Sequence, residues 1–213
     1  MEAAFSEAMI DRAKGCIMGS LIGDACGAPL EFTKDINKNT VEAALDMKGG
    51  GIHGVTPDQI TDDGQLTMCV LQGLTKCKNG YDPEIICIEY GRWINSKPFD
   101  VGGTTRHALF KASSMKGKLS ERVTNAAKEK AESTSNGSTM KLSPTAAYCA
   151  FISDTDKRRH IVTVETQHVH ASKEVIDCNI VFSLAIRDLI RGESSEKAYQ
   201  NMKAFALTST IKE

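Results

Sequence analysis

An all-α fold is predicted by three observations. Apolar residues recur at 3–4 residue spacing in run after run, caps and breakers mark the run ends, and no strand alternation extends beyond a few residues. Ser6 is placed to cap a first helix carrying the stripe Met9, Ala13, Cys16, Ile17 and Leu21. Gly15, Gly19, Gly23 and Gly27 fall at every fourth position of that helix. Each costs roughly 1 kcal/mol against Ala in a helix interior. Close helix packing is the expected compensation at Gly15 and Gly19. At Gly23 and Gly27, which bracket Asp24, packing and ligand approach both stand. Residues 33–60 are polar and Gly-rich and read as a long loop. A helix follows Thr61 through Leu66, Cys69, Val70, Gly73 and Leu74, with Asn79-Gly80 as its stop. Pro83 opens another, through Ile85, Ile86, Ile88 and Trp93, broken at Lys97-Pro98. The turn Val101–Thr105 precedes a helix over 106–115, and a Lys- and Ser-rich connection with a helical middle near Val123 runs to about residue 134. After the turn at 136–140 come a core helix over 142–152 and a long helix over 172–191, which Gly192 ends. An amphipathic helix over 196–205 completes the series. Ile161-Val162-Thr163-Val164 is the best strand-like run.

The 213 residues predict one domain, 1–213, folded as a compact helical bundle. Apolar residues are 41% and charged residues 25%, the balance of a soluble globular chain. A net charge of −1 argues against nucleic acid and anionic membranes as partners. The apolar run Ile17–Ile22 is too short to span a bilayer. The seven cysteines are odd in number, lack CxxC spacing and mostly sit within apolar runs. With no signal peptide, they predict a reducing, cytoplasmic setting.

Thr61-Asp62-Asp63 has two readings. A Thr cap followed by acids in the first turn is ordinary helix capping. The same hydroxyl and two carboxylates are also hard oxygen ligands suited to Mg²⁺, Mn²⁺ or Ca²⁺. Other residues have quieter readings. His53 is expected to be solvated in its Gly-rich loop, and His107 to cap or pack. Arg106 and Lys141 are placed either to meet phosphate or to lie solvated at the surface. A zinc site at His168 and His170 lacks further ligands.

Four loop signatures stand in order: Gly23-Asp24-Ala25-Cys26-Gly27-Ala28-Pro29-Leu30-Glu31, Thr61-Asp62-Asp63-Gly64-Gln65, Gly102-Gly103-Thr104-Thr105, and Asn136-Gly137-Ser138-Thr139-Met140. Gln167-His168-Val169-His170 follows and is read as opening a helix. The set resembles the ADP-ribosylglycohydrolase family over roughly residues 12–192. The resemblance implies an all-helical bundle with a central cleft and a pair of divalent cations, Mg²⁺ or Mn²⁺. It implies Thr61, Asp62 and Asp63 as metal ligands, with Glu31 and Asp62 as catalytic carboxylates. It also implies ADP-ribose contacts from Asp24, Gly103, Thr104, Asn136, Gly137, Ser138, Met140 and His168, the last where the family has a Thr-His pair. The chemistry is reasonable: cleavage at an anomeric carbon builds oxocarbenium character, which bound metal and a positioned carboxylate can support.

The implied substrate is an ADP-ribosylated protein or an ADP-ribose-containing small molecule. The family carries a second metal motif, Gly-Gly-Asp-Thr-Asp-Thr, toward its C-terminus, which residues up to Glu213 do not reach. Asp154-Thr155-Asp156 is read as a solvated turn, because Lys157-Arg158-Arg159 would repel a cation. Two functions therefore stand: a metal-dependent hydrolase, or a relative that binds ADP-ribose without cutting it. Helices missing from the bundle would leave an apolar face that favours a homo-oligomer.

Overall fold

Ser6 opens α1 (Glu7–Gly27) as expected, its hydroxyl accepting from Met9 N–H. The computed structural model describes residues 6–206. A 3-10 turn (Ala28–Leu30) follows α1, and then come α2 (Lys38–Leu45), α3 (Asp62–Lys76), α4 (Pro83–Asn95) and α5 (Gly103–Ala112). The rest is α6 (Leu119–Lys128), α7 (Ser143–Ala150), α8 (Thr155–Gln167), α9 (Lys173–Arg191) and α10 (Ser195–Ala206). Among the described residues the only β pairing is an isolated bridge, Gly50 to Val55. The fold is all-α. No helix of the described residues is long and apolar enough to cross a membrane.

Local chemistry accounts for the boundaries. Asp82 caps α4, whose first residue is Pro83, where the missing N–H costs nothing. Gly192 ends α9 in the left-handed region at φ 96°. α3 to α6 share one apolar core, in which Leu66, Val70, Ile86, Tyr90 and Val123 are almost fully buried. α7, α8 and α9 share a second around Leu142, Cys149, Ile161 and Val162. α1 packs on α7 and α9 through Met9, Ala13, Cys16 and Ile17. The cysteines are all free, and Cys69, Cys87 and Cys149 are buried.

Several expectations are corrected. Residues 161–164 lie inside α8: Ile161, Val162, Glu165 and Thr166 are buried, a helical and not an alternating pattern. The β-branched run deceives because tertiary burial overrides propensity. The 33–60 segment holds α2, with an Asn37–Thr40 capping box. His168 caps the end of α8 and opens no helix. The packing expected at Gly15 and Gly19 is absent: a Cβ at either would meet nothing within 4 Å. Met18 and Ile22 beside them are about half exposed. Lys141 neither meets phosphate nor lies at the surface. It is fully buried and ion-paired with Glu165, to which Tyr81 and Tyr90 also donate.

Candidate active site

A cleft of about 920 Å³ opens where the end of α1, the starts of α3 and α5, and the 135–140 turn converge. Asp24 holds the first wall together. Its Oδ2 accepts from Thr61 N–H and Gly64 N–H, both at 2.8 Å, and its Oδ1 accepts from the Thr61 hydroxyl at 2.7 Å. A side chain of α1 thus caps α3 across space, leaving Asp62 and Asp63 free for other work. Gly64 is required here, because a Cβ would stand 2.6 Å from Asp24 Oδ2.

Asp62 is pinned to the second wall by Gly102 N–H, 3.0 Å from its Oδ2. Gly102 starts α5 with no side-chain cap, so the first N–H groups of that helix face the cleft region unclaimed by a capping side chain. The third wall is the 135–140 turn. Gly137 packs so closely on Thr105 that a Cβ would lie 2.9 Å from its hydroxyl. Behind the turn, His170 joins Ser135 Oγ and Ser138 Oγ, each at 3.0 Å, and Asn179 donates to Ser138 and accepts from Thr139.

Asp24, Glu31, Thr61, Asp62, Asp63, Gly103, Thr104, Asn136, Gly137 and Met140 all line the cleft. Ser138 and His168 do not. Ser138 is fully buried behind the turn. His168 lies in the core, 3.5 Å from Glu165 and edge-on to Tyr90. Two cleft residues were missed by sequence reasoning. Asp100 follows α4 in an irregular connection that gave no signal. His53 is not simply solvated: its Nε2 lies 3.2 Å from Glu31 and 3.8 Å from Asp100.

Among the described residues no Lys or Arg lines this cleft, while Asp24, Glu31, Asp62, Asp63 and Asp100 do. Burial, then repulsion from Asp100 and Glu31, raises the Asp62 carboxyl to about 6 against the stabilising Gly102 hydrogen bond. Burial, then repulsion led by Asp62 and Asp24, raises Asp63 to about 7. Raised carboxyl values mean that the folded state retains protons which the unfolded chain releases, so these residues stabilise the fold less as pH rises. His170, lowered to about 4 by burial and by Lys141, works in the opposite direction but is a single group. The metal-free protein is therefore more stable at pH 5 than at pH 7.5, as thermal unfolding in EDTA will show. A midpoint that rises over that interval would contradict the assignment.

A family model described as ADP-ribosylglycohydrolase matches residues 6–212. The chain belongs to this family. Among curated ADP-ribosylglycohydrolase relatives, one from Acanthamoeba polyphaga mimivirus is 28% identical over 210 residues, covering 92% of this chain and 60% of the relative. The ADP-ribosyl dinitrogen reductase glycohydrolase of Rhodospirillum rubrum is 38% identical over 100 residues, covering 46% of this chain and 34% of the relative. The ADP-ribosylarginine hydrolase Tri1 of Pseudomonas putida is 26% identical over 205 residues, 90% of this chain and 50% of the relative. A solved ADP-ribosylglycohydrolase-related protein complex shares the fold with a TM-score of 0.74 at 24% identity, over 94% of this chain and 63% of that one. The chain thus spans 60% or less of the length of these curated relatives.

Proposed function

We propose that this chain carries the cleft of a metal-dependent hydrolase that cuts the glycosidic bond between ADP-ribose and an acceptor. The observation that carries the reading is the polarity of the cleft. One side gathers five carboxylates with, among the described residues, no Lys or Arg to balance them, and the other offers the uncapped start of α5 and a Gly-containing turn. The first side suits a cation and ribose hydroxyls, and the second suits a diphosphate.

The donor set fits a hard divalent ion. The Thr61 hydroxyl and the Asp62 and Asp63 carboxylates are all oxygen ligands at one helix start, and their carboxyl values are raised first by burial and then by a mutual repulsion that a cation relieves. Mg²⁺ or Mn²⁺ held there would polarise the ribose hydroxyls and a water. Asp24 acts indirectly, by holding the helix start in place. Glu31, at the cleft wall, exchanges a proton with the attacking water or the departing acceptor. Gly103, Thr104, Asn136, Gly137 and Met140 form the wall against which ADP-ribose lies. Ser138 supports that wall from behind, and His168 only through the core.

An arginine linkage is the first to test, because the Pseudomonas putida relative is named an ADP-ribosylarginine hydrolase. The Mg²⁺-loaded protein should release free ADP-ribose from an arginine-modified protein, measured by chromatography. Glu31→Gln should slow release by about 10²–10⁴-fold. No release from arginine- or serine-linked substrates would overturn the hydrolase reading and leave a binding protein.

A further inference from the structure

We propose that Glu31, His53 and Asp100 form a second cation site, which takes a zinc-like ion and, when filled, switches hydrolysis off. It extends the reading of the cleft as a metal-dependent site, but its ligands are not those of the Thr61–Asp63 site.

The three side chains come from separate parts of the chain. Glu31 ends the 3-10 turn after α1, and Asp100 lies in the α4–α5 connection. His53 sits at the tip of a small hairpin closed by the Gly50–Val55 bridge and by Gly54 N–H donating to Gly51 O. The hairpin is seated on the 3-10 turn. At Gly51 (φ 69°) a Cβ would lie 2.8 Å from Pro29 Cα, so only glycine allows this approach. Phe32 and Phe99 meet the imidazole edge-on, with ring centroids 6.2 and 6.3 Å away, and hold its plane.

One ligand atom from each residue lies within 4.8 Å of the other two. Tetrahedral zinc with bonds of about 2.0–2.1 Å separates its ligands by roughly 3.3 Å. The Nε2 to Glu31 Oε2 distance of 3.2 Å matches that spacing, and the 3.8 Å to Asp100 Oδ2 needs only a small closure. The Nε2 is screened from solvent, yet it makes no hydrogen bond of acceptable direction in spite of the nearby carboxylate. An imidazole nitrogen with two carboxylate oxygens and room for a water is a borderline donor set. It prefers Zn²⁺ to Mg²⁺, which favours oxygen alone. Glu31 cannot ligate a metal and exchange a proton at once, so an ion here removes the acid–base group.

Zn²⁺ is titrated calorimetrically into the full chain with Mg²⁺ in millimolar excess. One Zn²⁺ should bind, and His53→Gln and Glu31→Gln should each weaken it at least about tenfold. Mg²⁺ binding to His53→Gln should be unchanged, which also shows that the variant is folded. Pulsed electron paramagnetic resonance of Cu²⁺ substituted for Zn²⁺ in the Mg²⁺-saturated protein should show nitrogen coupling that His53→Gln abolishes. Zn²⁺ should inhibit ADP-ribose release by wild type, and inhibition by His53→Gln should need at least tenfold more. Equal Zn²⁺ affinity in wild type and His53→Gln, or no nitrogen coupling in wild type, would overturn the site. Those readouts are independent of turnover. Absence of Mg²⁺-dependent release overturns the hydrolase reading alone.

Discussion

The Asp62→Ala, Asp63→Ala double variant is expected to release no ADP-ribose in the presence of Mg²⁺ while remaining folded. Removing both carboxylates leaves only the Thr61 hydroxyl of the oxygen set. The lost stabilisation of several kcal/mol corresponds to a rate about 10³-fold lower or worse. The fold survives because the capping of α3 falls to Asp24 and Thr61, neither of which is changed. One hydrogen bond is lost, from Gly102 N–H, and the repulsion within the acidic cluster is relieved. The pH trend of the metal-free protein should also reverse, since the contribution of His170 then remains without the two carboxyls that oppose it. Unchanged turnover in this variant would sink the site assignment.

Lys141→Met is expected to destabilise the protein by about 3–5 kcal/mol, because it strands the Glu165 carboxylate in the core. For a chain of this size that lowers the thermal midpoint by about 6–20 °C. Both side chains of the pair are fully buried. Tyr81 donates to Glu165 Oε2 at 2.7 Å, and Tyr90 donates to Oε1. Burial alone would raise the Glu165 carboxyl, but the Lys141 charge, then His168, and the hydrogen bonds from both together outweigh it and hold the group well below the usual range. A depressed carboxyl value contributes stability that is present above the unfolded value and is lost as pH falls through the folded one. Without the Lys141 charge, burial raises the Glu165 carboxyl, so the deficit of Lys141→Met should be largest near neutral pH and shrink as pH falls and Glu165 takes up a proton. The double variant Lys141→Met, Glu165→Gln should recover much of the loss, since it removes both charges and leaves the tyrosines a partner. Urea unfolding of wild type and the two variants checks this. A loss below about 1 kcal/mol for Lys141→Met, the size of a surface pair, would contradict the buried-pair account.

Much of this was legible in the sequence where chemistry is local. Ser6, Pro83 and Gly192 mark helix ends because caps and breakers act within a turn of the residues they serve. The four loop signatures converge on one cleft because each lies at or beside a helix start or end. What was not legible depends on contacts between distant residues. Lys141 and Glu165 are 24 positions apart, and nothing in either neighbourhood announces a buried charge. Asp100 and His53 reach Glu31 only once α1, the hairpin and the α4–α5 connection are assembled. His168 and His170 are two residues apart, yet one enters the core and the other braces the cleft wall. Local pattern does not resolve that difference at a helix end. The β-branched run in α8 misled for a related reason, since its direction of burial is set by α7 and α9.

Calorimetric titration of ADP-ribose into the purified protein, once with Mg²⁺ and once with EDTA, tests the central claim most directly. It needs no choice of acceptor linkage. Binding with Mg²⁺ that is weakened at least tenfold by EDTA is the predicted result. It would mean that Thr61, Asp62 and Asp63 hold a cation that in turn holds the ligand. Binding indifferent to EDTA, or no binding in either buffer, would contradict a metal-dependent ADP-ribose site in this cleft.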